Sequence, residues 1–407
     1  VEKIELPASL SADEAKGCAE RRLATLWSER AQATLALPWR RMELRPGGRV
    51  GVAGMTGSWR IAGWTLERMV AELKLVATAS GGGAAVASPG RATTGPDAAH
   101  GPTAVALLDL PPIGDGSDTA RLWIAANGPQ AGWRRAELSA SLDGGSNWTS
   151  IGRTAAPAVM GSALGVLGSG SPVLFDEINS IEIELLNDGL WLEGRDDAAL
   201  IGGANLALLG EELIQFGVAQ QTGARRYLLS RLLRGRRGSE WAMAGHASGE
   251  RFVLMEAATL RPLDLSAAAI GSTIKVMAQG MGDVAAADAE AEFIARALRP
   301  PAPVHLHAAR LADGTIRIGW TRRSRIGWAW LDGGDAPLGE EVERYRLVIT
   351  SSVGLPRTVE TALSAYDYTT GDQAIDGSGG AASATIAIAQ LGSIGASLPP
   401  AIGTFDI

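Results

Sequence analysis

The chain has 407 residues, a formal charge of −7, 46% apolar residues and 52 glycines. That length exceeds one ordinary core and predicts two to four domains, while the apolar content excludes wholesale disorder. The mild acidity argues against a dedicated nucleic-acid binder, and the single cysteine, Cys18, excludes internal disulfides and Cys-built metal centres within one chain.

No apolar run reaches the ~20 residues that a membrane helix needs, so no membrane span is expected. The charged start Val1-Glu2-Lys3-Ile4-Glu5 predicts no secretory leader, and a first residue of Val points to a fragment or a processed product.

The first element is a helix over Ala12 to Arg30. Ser11 and Glu14 have the spacing of a capping box, and Ala15, Ala19, Leu23 and Leu26 recur at helical spacing beside Trp27. Strands follow. Leu35 and Leu37 alternate up to Pro38, Pro46-Gly47 suits a type II turn, and Trp59 to Leu66 and Met69 to Val76 read as a pair. Thr78 to Gly101 is rich in Gly, Ala, Ser and Pro without periodicity, which predicts a linker or long loop.

A second β region runs from Pro102 to Glu256. Ile181, Ile183 and Leu185 alternate with Glu182 and Glu184, closed by the turn pair Asp188-Gly189. Leu213 to Val218, Tyr227 to Leu233 and Arg251 to Met255 are further strands, and Ala285 to Leu298 is expected as a short helix ended by Pro300-Pro301. The last hundred residues have the order of a fibronectin type III-like sandwich, with strands at Val304 to Ala308, Thr315 to Trp320, Tyr345 to Thr350 and Thr385 to Ala389. The expected fold is therefore mainly β and multi-domain, with one N-terminal amphipathic helix. Its boundaries are an α+β region over 1–78, a linker over 79–101, one or more β domains over 102–300 and a sandwich over 301–407.

Signatures of chemistry are scarce. No Walker loop, dinucleotide fingerprint, H-E-x-x-H or G-x-S-x-G occurs. His305 and His307 share a strand face, but no further ligand is near in sequence, so an exposed sandwich face is the expected reading. Ser141-Leu142-Asp143-Gly144-Gly145-Ser146-Asn147-Trp148 fits an Asp-box, a structural hairpin in which the Asp caps the turn. The acidic pairs Asp196-Asp197, Glu211-Glu212 and Glu340-Glu341 are adjacent, so on a strand they point to opposite faces and do not form a glycosidase dyad. No catalytic, cofactor or metal residue is assigned.

Two arginine-rich stretches stand out as contact surfaces. Arg225, Arg226, Arg231, Arg234, Arg236 and Arg237 are interleaved with leucines, which suits protein contacts more than direct DNA binding. Arg322, Arg323 and Arg325 with Trp328 and Trp330 form a loop of residue types that dominate binding hot spots, although the tryptophans could equally cover a sandwich edge. Arg234, Arg236 and Arg237 together with the 322–330 set are the expected partner contacts.

A resemblance joins several of these stretches. Leu232-Leu233-Arg234-Gly235-Arg236-Arg237-Gly238-Ser239-Glu240, then His246 and Gly249-Glu250-Arg251-Phe252-Val253-Leu254, resembles a signature of phage tail-tip proteins. Gly203-Ala204-Asn205, Gly210-Glu211-Glu212-Leu213-Ile214-Gln215-Phe216, Trp320-Thr321-Arg322-Arg323-Ser324-Arg325 and Pro337-Leu338-Gly339-Glu340-Glu341 agree with it. The family is that of the baseplate hub or host-specificity ("megatron") proteins of alphaproteobacterial gene transfer agents and related siphophage-like prophages. The resemblance implies a non-catalytic, homotrimeric hub at a tail tip, with residues 1–78 as its hub-like part. It implies other tail and baseplate proteins as partners, and the host surface or its glycans only indirectly. The barrel domain resembling glycoside hydrolases, carried by full-length relatives, has no counterpart in this pattern of elements. The alternative reading is a secreted carbohydrate-binding or carbohydrate-active β protein, for which the Asp-box speaks.

Overall fold

The computed structural model describes residues 10, 12–41, 43–78, 100–113, 119–328 and 334–406. The chain divides into two compact units, residues 1–97 and 98–407.

The first unit contains α1 (Ala12–Ser28), β1 (Gln32–Pro38), β2 (Arg49–Val50), β3 (Trp59–Glu67) and β4 (Val70–Ala77), the strands forming one sheet in the order β1-β4-β3-β2. The alternation expected in β1 and β4 is present: Ala33, Leu35 and Leu37 turn inward with Ala71, Leu73 and Leu75, around Trp59 and Ile61. Met69 leaves that face, because it sits in the left-handed turn between β3 and β4. Helix α1 forms where its spacing predicts, but Leu23 and Trp27 are 64% and 70% exposed, so the described residues leave its apolar stripe uncovered. Ser11, half of the expected capping box, lies outside the described residues.

The second unit is three β modules in succession, one of them split. It begins with β5 (Ala104–Leu108), β6 (Arg121–Asn127), β7 (Ala136–Ser141) and β8 (Thr149–Arg153). Six strands then close into a barrel: β9 (Met160–Ala163), β10 (Ile181–Leu185), β11 (Leu206–Leu209), β12 (Glu212–Gln221), β13 (Arg226–Leu233) and β14 (Arg251–Leu254), with a short helix α2 (Asp197–Ile201) outside them. The chain returns to the first module as β15 (Leu260–Asp264), β16 (Thr273–Gly280) and β17 (Ala287–Glu292). The last module holds β18 (Val304–Arg310), β19 (Ile316–Thr321), β20 (Tyr345–Ser351), β21 (Arg357–Thr361), β22 (Ala365–Tyr368), α3 (Thr370–Ile375), β23 (Ser383–Gln390) and β24 (Ala401–Asp406).

The first and last modules share one topology. The sheets of the first are β15-β6-β5 and β17-β16-β7-β8, and those of the last are β18-β19-β22 and β21-β20-β23-β24. Counting each module's own strands from one to seven, both pair strands 1-2-5 in one sheet and 4-3-6-7 in the other. The C-terminal sandwich expected from the sequence is therefore accompanied by a second one of the same order, into which the barrel is inserted between the fourth and fifth strands. The insertion closes on itself: Val253 pairs with Met160, and the Leu254 N–H donates to the Val159 carbonyl at 2.9 Å.

The barrel is also fused sideways to its host. Leu107, Leu122 and Ile124 face the sandwich interior, whereas Ala106, Leu108 and Ala125, on the other face of the same strands, pack with Met160, Leu208, Leu213 and Val253 of the barrel. Strands buried on both faces read as continuous apolar runs, as β5 and β6 do.

Residues 285–298, expected as a helix, form β17 and a following 3₁₀ turn at Arg296–Leu298. The alanines favour a helix locally, but Ala287, Ala289 and Ala291 alternate with Asp288, Glu290 and Glu292, and pairing with β16 decides the outcome. The Asp-box is the hairpin between β7 and β8. The Asp143 carboxylate accepts from the Ser141 hydroxyl (2.7 Å), the Asn147 N–H (2.9 Å) and the Asn147 amide (2.7 Å), which hold it well below the usual carboxylate range. Among the described residues no helix is long and apolar enough to cross a membrane.

Candidate functional site: an arginine-built junction

The arginine-rich motif begins where β13 ends, and its first arginine points inward. Arg234 is 1% exposed. Its guanidinium donates two parallel hydrogen bonds to Glu212, at 2.9 and 2.8 Å, and others to the Gly168 carbonyl (2.7 Å) and Asp176 (3.1 Å). Glu212 opens β12, and its carboxylate also accepts from the Gly235 N–H at 2.6 Å. His246 lies between two carboxylates, Glu212 at 2.6 Å and Glu250 at 2.7 Å. Asp176 anchors the long β9–β10 loop by exchanging backbone bonds with Leu232 and accepting from the Ile178 and Asn179 N–H groups.

The charges support one another. Burial works against ionising Glu212, but hydrogen bonds from His246 and Arg234 outweigh it and hold its pKa below the usual value. Burial likewise opposes the charge on His246, yet the flanking carboxylates raise its pKa. A ring with a carboxylate at each nitrogen must donate twice, which is the imidazolium form. The Arg234, Glu212 and His246 side chains are 0–2% exposed, so the cluster braces the barrel end and does not open to a solvent-borne substrate.

This brace shapes the next few residues. Gly235 takes φ 56°, and a Cβ there would meet the Glu240 Cγ at 2.6 Å; Gly238 takes φ 88° and lies against Pro301. Both positions need glycine. The loop so formed turns its remaining polar residues towards the rest of the unit. Arg236 donates to the Gln215 side chain (2.8 Å), Arg237 to the Pro112 carbonyl (2.6 Å), and Glu240 pairs with Arg323 of the last sandwich at 2.8 Å.

The second arginine-rich stretch receives that loop. The ring of Trp328 has the guanidinium of Arg237 at 5.8 Å and that of Arg323 at 5.7 Å from its centroid, within cation–π range. The Trp328 indole N–H donates to the Arg325 carbonyl (2.8 Å). Arg325 pairs with Glu340 (2.9 Å), and Arg322 with Asp335 and the Ala336 carbonyl (2.6 Å each). Gln390 of β23 grips the Arg323 backbone from both sides, donating to its carbonyl and accepting from its N–H.

The expected contact residues fall into two groups. Arg234 is an interior brace between Glu212 and Asp176, 1% exposed, and presents no surface to a partner. Arg236, Arg237, Arg323 and Trp328 make contacts within the chain, where the two arginine-rich stretches meet. Trp330 lies outside the described residues. His305 and His307 are exposed on β18, and among the described residues no group of three or more His, Cys, Asp or Glu is placed to hold a metal. Asp176, Glu212, His246 and Glu250 were not singled out as a site from sequence; the usable signal was a glutamate directly before the apolar Leu213, Ile214 and Phe216 of one strand.

Comparisons with known proteins agree with a tail origin. Residues 1–64 match a family described as "Putative phage tail protein", and residues 158–253, which span the barrel, match one described as "Rcc01698-like, C-terminal". The chain is thus phage tail-related. No curated protein matches it significantly. Among solved structures it is similar to domains d3-d4 of the rat CD45 extracellular region, at 13% identity and a TM-score of 0.19, over 30% of this chain and 56% of that one. It is also similar to the FN1-FN3 domains of chicken CNTN1, at 10% identity and a TM-score of 0.18, over 75% and 97%. Scores this low say nothing about the arrangement of the whole chain.

Proposed function

We propose that this chain is a structural, non-catalytic component of a phage-like tail tip, the baseplate hub that connects the tail tube to host-recognition parts. The match of residues 1–64 to a phage tail family carries this reading. The braced junction supports it, since a part that fixes its neighbours' positions benefits from modules locked by buried and bridged charges. On this reading the chain assembles as a homotrimer with other tail proteins in a virion or gene-transfer-agent particle. Closed cyclic symmetry is what a tube end requires.

Cryo-electron microscopy of particles carrying a tagged copy of the chain tests the proposal. Tag density at the tail tip, with a copy number divisible by three, is the expected result; density elsewhere, or another stoichiometry, would overturn the hub. The purified chain is expected to release no product from peptidoglycan, glycans or peptides. Product release abolished by changing one carboxylate would return the carbohydrate-active reading to first place.

A further inference from the structure

Where the first sandwich, the barrel and the last sandwich adjoin, they line a partly open cavity of about 330 Å³. That volume lies within the range of small-molecule sites. The arginines around it differ in how they are neutralised. Arg296 pairs with Glu211 at 3.3 Å and Arg325 with Glu340 at 2.9 Å. Arg299 spends its hydrogen bonds on the carbonyls of Ile294 (2.6 Å) and Ala396 (2.9 Å), which hold the side chain without neutralising it. Among the described residues neither Arg299 nor Arg251 forms an ion pair, and both line the cavity.

Two guanidinium charges beside walls that include Trp241, Trp328, Pro300 and Pro301 call for an anionic group. The rest of the lining limits how much negative charge a ligand can bring. Asp109, Glu211, Glu290 and Glu292 also line the space, Glu290 paired with Lys275 and Glu211 close enough to act on Arg251, and carboxylates repel a second anionic group but accept hydroxyl hydrogen bonds. One carboxylate, several hydroxyls and apolar ring faces together describe a sugar acid. We infer that this cavity binds a carboxylated saccharide of one or two rings, with its carboxylate towards Arg251 and Arg299 and its hydroxyls towards Glu211 and Glu292.

Arg251 is the variant of choice, because it is exposed and its loss breaks no ion pair. Titration calorimetry on the full chain would compare sodium glucuronate, glucose, inorganic phosphate and digalacturonate, with wild type and Arg251→Gln. Glucuronate should bind with a millimolar Kd, glucose and phosphate should not, and R251Q should weaken glucuronate about tenfold at unchanged melting temperature. Digalacturonate binding more tightly than glucuronate would assign the site to the end of an acidic polysaccharide, and equal affinity to a free sugar acid. No glucuronate heat up to about 20 mM, equal binding of phosphate or glucose, or an unchanged R251Q affinity would each overturn the assignment.

Discussion

Arg323 of the last sandwich and Glu240 of the barrel loop pair at 2.8 Å, and the same guanidinium lies beside the ring of Trp328. The pair is partly exposed, at 16% and 26%, so it contributes about 0.2–1 kcal/mol, with up to ~2 kcal/mol more from the ring contact. Its larger effect is on geometry. Glu240→Ala combined with Trp328→Ala should leave the circular dichroism spectrum unchanged and broaden the small-angle scattering envelope as the sandwich swings on the barrel. An unaltered scattering curve would show that other contacts fix the angle.

Arg234→Met should be far more damaging. It leaves Glu212 and Asp176 buried without their cation, a change that costs about 3–5 kcal/mol in comparable sites. Adding Glu212→Leu removes the stranded charge and should recover a substantial part of that loss in urea denaturation. A double variant as unstable as the single one would trace the loss to packing instead.

The charged core also sets a pH dependence. The folded pKa of His246 is raised above 6.5, so its contribution to stability is complete below 6.5 and is lost as pH rises through the folded value. Glu212 acts on the other side: its depressed pKa gives a contribution present above 4.5 and lost on acidification. Melting temperatures between about pH 5 and 9 should therefore decline on the alkaline side, and His246→Gln should flatten that decline.

The split sandwich predicts that the barrel can be removed. Because Val253 pairs with Met160, the two ends of the insertion are neighbours, and a short Gly-Ser link replacing residues 159–255 closes the gap without strain. The shortened chain should keep a cooperative transition, but it would expose Ala106, Leu108 and Ala125, now covered by the barrel. Reduced solubility with an intact transition is the expected outcome; a chain without any transition would show that the host needs its insertion to fold.

What could be read from the sequence was what local pattern decides. Leu35 with Leu37, Ile181 with Ile183, and the strand from Tyr345 announce themselves by alternation, and α1 by its spacing. What escaped depended on residues far apart. Leu122 pairs with Leu263 across the whole barrel, and no periodicity marks that β6 and β15 belong to one sheet. The repeated sandwich topology was hidden for the same reason, since its first copy is interrupted. At the junction, the arginines were recognised as contact residues, but their partners Glu212, Glu240 and Pro112 come from other elements. Within the chain those arginines already have partners that no local pattern announces.

The way the barrel is spliced in has a mechanical side. Its first and last strands lie next to each other, so a pull along the second unit, from β5 towards β24, runs through the two sandwiches and bypasses the barrel. Once the Glu240–Arg323 and Arg237–Trp328 contacts with the last sandwich have parted, the barrel hangs from this line of tension as a side branch and feels no further stretch until its host sandwich has opened. A single-molecule force–extension trace should therefore release the barrel's length only after that opening. In a particle that meets a cell surface, the Arg234 brace would stay at rest while the outer modules take the strain.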